Sequence, residues 1–258
     1  MPTLTLLTKV YNNLQLKLVE EFLKSSLKGL NVKTHICGVT LRGFVQIAVS
    51  GEDESVAHRY LAEEVGLCPT DLNHIERFSR IKGYITVLNK SKGEFYVDIG
   101  VFSPNIVDAT IPLQHLQAHL VDGRKVALKK FVELFGFCEN LPLSIKIFGI
   151  DSDKNYVEAK LSEKQLTQYR DWTKSLLDRL IILGVSHDEI EHALKMTGCN
   201  RDVVNIQALG LFEHAVACKL GTDAAGLIPK IGKNLRSATL GIFNPREILG
   251  FLEERHLL

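Results

Sequence analysis

Tyr84 and Tyr96 stand in two short apolar runs, residues 83–88 (GYITVL) and 94–100 (EFYVDIG). A tyrosine on a strand face can stack a nucleic-acid base of any identity, because every base offers a π-face. Cations gather nearby. Arg77, Arg80, Lys82, Lys90 and Lys92 flank the first run with no acidic residue among them, and Arg124, Lys125, Lys129 and Lys130 fall within seven residues further on. Such clusters can neutralise phosphates; the alternative is a solvated surface. A third basic group follows a Gly-rich turn: Thr222 opens a helix on which Lys230, Lys233 and Arg236 recur every three residues. That arrangement can hold an anion at the helix start, or be only a capped helix with a wet basic side.

Enzymatic chemistry finds no comparable foothold. His115 and His119 lie one turn apart if residues 112–120 are helical, yet no third ligand and no glutamate base accompany them. His187, His192 and His214 have acidic neighbours but no paired nucleophile, and no serine sits in a G-x-S-x-G elbow. Neither a G-x-x-x-x-G-K-[ST] nor a G-x-G-x-x-G string occurs, so nucleotide binding has no motif behind it. No enzyme activity, cofactor or metal is expected.

The elements that must position these residues follow from periodicity. Residues 4–10 read as a strand, and 14–30 as a helix with Leu16, Val19, Phe22, Leu23 and Leu27 on one face. Residues 33–40 and 44–50 form a hairpin, and an acidic start with an Ala57, Leu61, Val65 stripe marks a second helix. This βαββα order is most of a ferredoxin-like sandwich. Residues 179–236 show the same order, with Ser186 and Glu189 as a capping box and Thr222 or Asp223 as a later cap. A short strand (239–243) and a terminal helix opened by Asn244-Pro245 follow. Between the two modules lie five short strands, at 83–88, 94–100, 108–113, 143–149 and 156–161, with turns at 89–93 and 151–155. Five strands with a helix before the fourth is the order of an OB-type barrel. Alternation puts Ile85, Val87, Phe95, Val97 and Ile99 inside, and Tyr84, Thr86, Tyr96 and Asp98 outside. The expected organisation is α+β: a ferredoxin-like module at 1–78, the barrel at 79–162 with a helical insert at 124–140, and a second ferredoxin-like module at 163–258.

Gly83-Tyr84-Ile85, Tyr96-Val97-Asp98-Ile99-Gly100, Ile111-Pro112-Leu113 and Ile145-Lys146-Ile147 before the Asp151 turn together resemble the RNA-binding OB fold of the ribosomal-protein-S-one type. Two departures stand out: Ile111 falls where that family carries a second stacking aromatic or His, and the 124–140 insert replaces a short link. The string at 226–232 (GLIPKIG) resembles the hairpin of helix-hairpin-helix DNA binders. Residues 79–248 as a whole resemble a family of archaeal proteins of unassigned function, through EFYVDIG with VDATIPL, residues 209–232 and Phe243-Asn244-Pro245. That resemblance implies an archaeal cytoplasm and no activity.

Composition narrows the classes. The 258 residues carry 31 basic and 30 acidic side chains, a net charge of +1, which argues against a strongly cationic binder. Hydrophobic residues make up 45%, so a packed core is affordable and wholesale disorder is excluded. No apolar run reaches the roughly 18 residues of a membrane span, and no basic n-region precedes the first apolar residues, so neither a membrane segment nor a signal peptide is expected. The five cysteines form no C-x-x-C pair and read as buried thiols of a reducing cytosol. The expected function is non-enzymatic RNA binding in translation or RNA processing, with ribosomal or structured single-stranded RNA as ligand. RNA would be held by Lys82, Tyr84, Tyr96, Asp98, Arg124, Lys125, Lys129 and Lys130. The alternative is an adaptor for ribosomal or transcription proteins that uses the barrel as a scaffold.

Overall fold

The computed structural model describes residues 3–86 and 94–253. They fall into two compact units: one runs to Ile75 and includes Ile99–Ile106, the other holds Glu76–Asp98 and the chain from Val107 onward. Val87, the expected turn at 89–93, Lys90 and Lys92 lie outside the described residues.

In the first unit β1 (Thr3–Lys9), α1 (Gln15–Ser26), β2 (Val32–Val39), β3 (Phe44–Gly51) and α2 (Glu54–Glu64) follow one another as the periodicity predicts. The three strands form an antiparallel sheet in the order β1-β3-β2. Val19, Leu23 and Leu27 at three- and four-residue spacing put one face of α1 into the core, and Ala57 and Leu61 do the same for α2. Asn12 starts α1 by accepting hydrogen bonds from the Leu14 and Gln15 amides. After α2 the chain returns beside β1 for the single antiparallel bridge Leu6–Leu67. That is where the fourth strand of a split-βαβ sandwich would lie; here it is reduced to one rung. Of the five thiols, Cys68, Cys199 and Cys218 are buried as expected, whereas Cys37 is exposed because β2 sends every second side chain outward.

The barrel strands come next in the chain. After the two-residue β4 (Thr70–Asp71) they are β5 (Arg80–Ile85), β6 (Glu94–Ser103), β7 (Val107–Pro112), β8 (Pro142–Asp151) and β9 (Tyr156–Leu161), with helices α3 (Leu113–Leu120) and α4 (Leu128–Phe135) between β7 and β8. The sheet runs β6-β5-β8-β9-β7 and closes through a β6–β7 pairing, with β7 and β9 parallel. This closed five-strand ring is the expected OB-type barrel. Ile85, Phe95, Val97, Ile99, Ile145 and Ile147 are all buried, as period-two alternation demands. Gly83 is needed where β5 passes β6: a Cβ there would lie 2.6 Å from the Asp98 carbonyl oxygen.

Helix α4 starts at Leu128, so Arg124 and Lys125 precede it and only Lys129 and Lys130 lie in its first turn. Its buried stripe is Leu128, Phe131, Leu134 and Phe135. The stripe feeds an aromatic cluster. Phe137 meets Phe95 of the barrel at 5.2 Å between ring centres, Phe135 meets Tyr169 of α5 (Glu163–Lys174) at 5.7 Å, and Trp172 meets Phe243 at 5.2 Å. Rings of this size dominate the apolar burial where they gather. They join the barrel and the C-terminal sheet within the second unit.

That C-terminal part comprises β10 (Arg179–Leu183), α6 (His187–Met196), β11 (Val203–Ala208), β12 (Glu213–Cys218), α7 (Ala224–Ile231), β13 (Thr239–Phe243) and α8 (Pro245–Glu253). Its antiparallel sheet, ordered β11-β12-β10-β13, is a complete split-βαβ sandwich. The capping box of α6 is present: Ser186 Oγ accepts from the Glu189 amide, and the Glu189 carboxylate accepts from the Ser186 amide at 2.7 Å. The 226–232 string lies on α7 and the turn after it, so the helix-hairpin-helix likeness does not survive.

Gly136, which caps α4 at φ +66°, is the most exacting glycine of this unit, since a Cβ would stand 2.5 Å from the Ile242 carbonyl oxygen. Left-handed backbone alone costs an alanine about 1–2 kcal/mol. Gly136→Ala is therefore expected to lower stability by more than that, checked by denaturant titration against Gly123→Ala. Gly123 is also left-handed but has open space around it.

Candidate nucleic-acid interface

Strand register brings together cations that lie far apart in sequence. Arg80 of β5 faces Lys146 of β8, and Lys146 faces Lys160 of β9, so three positive side chains share one rung of the barrel. Lys146 and Lys160 alternate with buried neighbours, and Arg80 is exposed opposite Lys146, which places all three on the outer face. Like charges directly opposed across strands are destabilising. Among the described residues no carboxylate lies within ion-pair distance of Arg77, Arg80, Lys146 or Lys160.

Two aromatic rings stand among these cations. Phe78, just before β5, is 55% exposed, and Phe148 of β8 is 40% exposed. Both owe their outward aim to irregular backbone. Phe78 has φ +69°, rare for a bulky residue, and is pinned there by its amide donating to the Ile147 carbonyl at 3.0 Å. Phe148 is the extra residue of a bulge: Ile147 pairs with Ala159 and Gly149 with Glu158, leaving Phe148 unpaired. The rings meet edge to face at 6.4 Å, with Arg77 over Phe78 at 5.2 Å, Lys146 over Phe78 at 5.9 Å and Lys160 over Phe148 at 5.9 Å. The Arg77 guanidinium also donates to the Phe148 carbonyl at 2.9 Å. His115 of α3 lies 6.2 Å from Phe148, and His119 a turn further on. Burial, then Lys160 and His115, hold the His119 imidazole below its usual range.

The residues singled out from the sequence are placed differently. Tyr84 and Asp98 face each other across β5 and β6, on the outer side as alternation requires. They are nevertheless buried, at 3% and 1% exposed, so neither offers a group to a ligand; outward on a strand is not the same as open to solvent. Ile111 is buried inside the barrel and does not belong to the outer face at all. Tyr96 is accessible, but its surroundings are acidic. Its hydroxyl donates to Glu94, and that bond, then burial and the neighbouring Tyr156 and Asp108, push the phenol up to about 12. Burial, then Glu158 and Glu94, likewise raise Tyr156. A phosphate would be repelled there. Lys82 is exposed on β5, one alternation beyond Arg80.

Arg124 is committed to the fold. Its two terminal nitrogens donate to the Phe251 and Leu252 carbonyls at the end of α8, and its guanidinium lies 5.0 Å from the Phe251 ring. Lys125 is exposed, while Lys129 and Lys130 both reach toward Glu133, at 3.6 and 3.9 Å. The 124–130 cluster thus serves partly to dock α8 and partly as an ordinary helix surface. The anion site expected at Thr222 fares no better. The start of α7 already has two carboxylates: Asp223 accepts from the Ala225 amide at 2.9 Å and Asp178 from the Ala224 amide at 3.3 Å. Lys230 lies in the last turn of α7, and Lys233 and Arg236 lie beyond the helix, so the three do not converge on its start. A cavity of about 190 Å³ beside Thr222 is lined by Asp178, Asp223, Lys219 and Arg246, a mixture of both signs.

Sequence alone does not single out Phe78, Lys146, Phe148 and Lys160. A signal existed: residues 144–148 alternate so that Lys146 and Phe148 face away from Ile145 and Ile147. What no sequence reveals without the register is that Lys146 stands between Arg80 and Lys160. Among the described residues, no group of three or more His, Cys, Asp or Glu could hold a metal ion, and no helix is long and apolar enough to cross a membrane.

Fold and surface together define a multidomain α+β protein: an OB-type barrel with a cation-lined outer face, a complete split-βαβ sandwich after it and a three-stranded βαββα module before it. The chain belongs to the DUF2110 family. Its residues 3–70, 76–173 and 177–243 match, in order, the DUF2110 N-terminal, central and C-terminal domains. No curated protein matches. Among solved structures, an uncharacterized protein from Methanocaldococcus jannaschii is 10% identical, with 34% of this chain and 95% of that one covered and a TM-score of 0.23. The intact alpha subunit of aIF2 from Pyrococcus abyssi is 8% identical over 66% of this chain and 96% of that one, with a TM-score of 0.26. A chain of the a/eIF2alpha–aDim2p–rRNA complex from Pyrococcus horikoshii is 8% identical over 48% and 64%, with a TM-score of 0.27. Likenesses this slight say nothing of what the chain binds.

Proposed function

We propose that this chain is a non-enzymatic RNA-binding protein of translation or RNA processing, and that the outer face of β5, β8 and β9 is its phosphate-binding surface. The observation that carries the reading is the rung Arg80–Lys146–Lys160, three cations opposed across a sheet and left without carboxylates. Arg77 adds a fourth cation beside it. A barrel gains nothing in stability from such a row, whereas a polyanion would neutralise it and release counterions. Ribosomal or other structured single-stranded RNA in an archaeal cytoplasm is the setting that the sequence resemblance implies. The test is binding of a fluorescein-labelled ten-residue oligouridylate to the full chain at rising salt, read by anisotropy. Tyr96→Ala is expected to leave this binding nearly unchanged, because the ring sits beside Glu94 and Asp108.

The acidic surroundings of Tyr96 and Tyr156 favour a second reading for that end of β6 and β9: an adaptor surface for a protein, such as a ribosomal or transcription protein, with basic side chains. Cations and tyrosine faces attract one another, and carboxylates alongside strengthen the pairing. Pull-down with immobilised wild-type chain and with Glu94→Lys would separate it from the RNA reading, since only protein capture should respond.

A further inference from the structure

We infer that Phe78 and Phe148 form a two-ring stacking platform that makes this surface selective for unpaired over paired RNA. The inference rests on the RNA-binding reading above and goes further, naming the form of RNA and the side chains that distinguish it. Cations alone attract any polyanion, duplex or single strand, because phosphates are what they see. Exposed rings beside them add a contact that only an unstacked base can make. Duplex bases are already stacked on one another and have no face to spare.

Three features of the pair point to a ligand. The rings are large and apolar yet exposed, beside Arg77, Lys146 and Lys160 and beside His115, which lies 3.6 Å from Glu158. Each is held outward at a backbone cost, Phe78 by its left-handed φ and Phe148 by the bulge in β8, where an ordinary strand would need neither. The ring planes stand 82° apart, so their faces point in different directions. The two rings therefore accept two bases in different orientations, as a strand turning across the barrel would present them, and do not sandwich one base between them. The flanking cations lie within 6 Å of the ring centres, and when bases stack on the rings these long side chains can swing aside to the linking phosphates. Every base has a π-face, so the platform reads strandedness and not sequence.

Phe78→Gly and Phe148→Ala in the full chain test this against the labelled oligouridylate and against an RNA duplex of equal length. Glycine suits a positive φ, so Phe78→Gly should fold at least as stably as wild type, which removes misfolding as an explanation for lost binding. Each substitution is expected to weaken single-strand binding about tenfold or more while leaving its salt dependence unchanged, and to leave duplex binding unaffected. Phe148→Trp should retain single-strand binding. Single-strand binding that persists with both rings removed, or a duplex bound as tightly as the single strand, overturns the platform while the cationic surface stands. No binding of either RNA by wild type at low salt would overturn both.

Discussion

Reversing Lys146 and Lys160 together to glutamate is expected to weaken single-stranded RNA binding by about 100-fold at low salt. A charge-assisted contact is worth roughly 1.5 kcal/mol or more, and two of them make about 3 kcal/mol, or two decades of affinity. Each phosphate contact contributes about 0.7 to the log–log salt slope for a single strand, so the slope should flatten by about 1.4. Lys146→Glu by itself should not harm the fold. Lys146 stands between Arg80 and Lys160 on one rung, and replacing the middle cation with an anion turns two repulsions into two attractions. Lys146→Glu alone should therefore raise the melting temperature while lowering affinity. That opposite movement marks a position where stability yields to binding, and it cannot be produced by partial unfolding. Unchanged affinity in the double variant would remove the phosphate-binding role from this face.

Acidification is expected to destabilise the C-terminal sandwich through His214. Its side chain is 2% exposed on β12, Nδ1 has no hydrogen-bond partner among the described residues, and the His187 ring lies 5.8 Å away. Burial, and secondarily repulsion from His187, push its pKa down to about 4 from the ordinary 6.5. A base whose pKa is depressed on folding is neutral in the native state while the unfolded chain already binds the proton. Stability is thus full above about pH 6.5 and falls as the pH drops from there to about 4. The gap corresponds to about 3 kcal/mol, a large share of the stability of a typical domain. Around that ring, His187 Nε2 lies 3.4 Å from Glu191, whose carboxyl is in turn held low chiefly by Lys195. His214→Gln should abolish most of the dependence between pH 6.5 and 4 in urea titrations, whatever it does to stability at neutral pH. A wild-type profile that is flat across that interval would contradict the buried neutral imidazole.

Much of the fold was legible because its signals are local. The Ser186–Glu189 capping box, the Ala57–Leu61 stripe and the Asn244-Pro245 helix start each lie within one turn of chain, and the structure has all three. The barrel was legible from the alternation of Phe95, Val97 and Ile99 with their neighbours. The binding surface was not, for two physical reasons. Alternation tells which side of a strand a residue takes, yet Tyr84 and Asp98 take the outer side and are buried all the same. Cation clusters close in sequence also need not be close to a common ligand. Arg124 spends its donors on the last carbonyls of α8, whereas Arg80, Lys146 and Lys160, separated by up to eighty positions, share one rung. Register and backbone irregularities such as the Phe148 bulge depend on contacts between distant strands, so neither is written in a local pattern.

The most direct test is the salt dependence of oligouridylate binding by the wild-type chain, measured by anisotropy between about 20 and 300 mM monovalent salt. Phosphates held by three or four of Arg77, Arg80, Lys82, Lys146 and Lys160 should give a log–log slope of about −2 to −3. Absence of binding at the lowest salt, or an affinity that does not change with salt, would contradict a phosphate-binding face on this barrel.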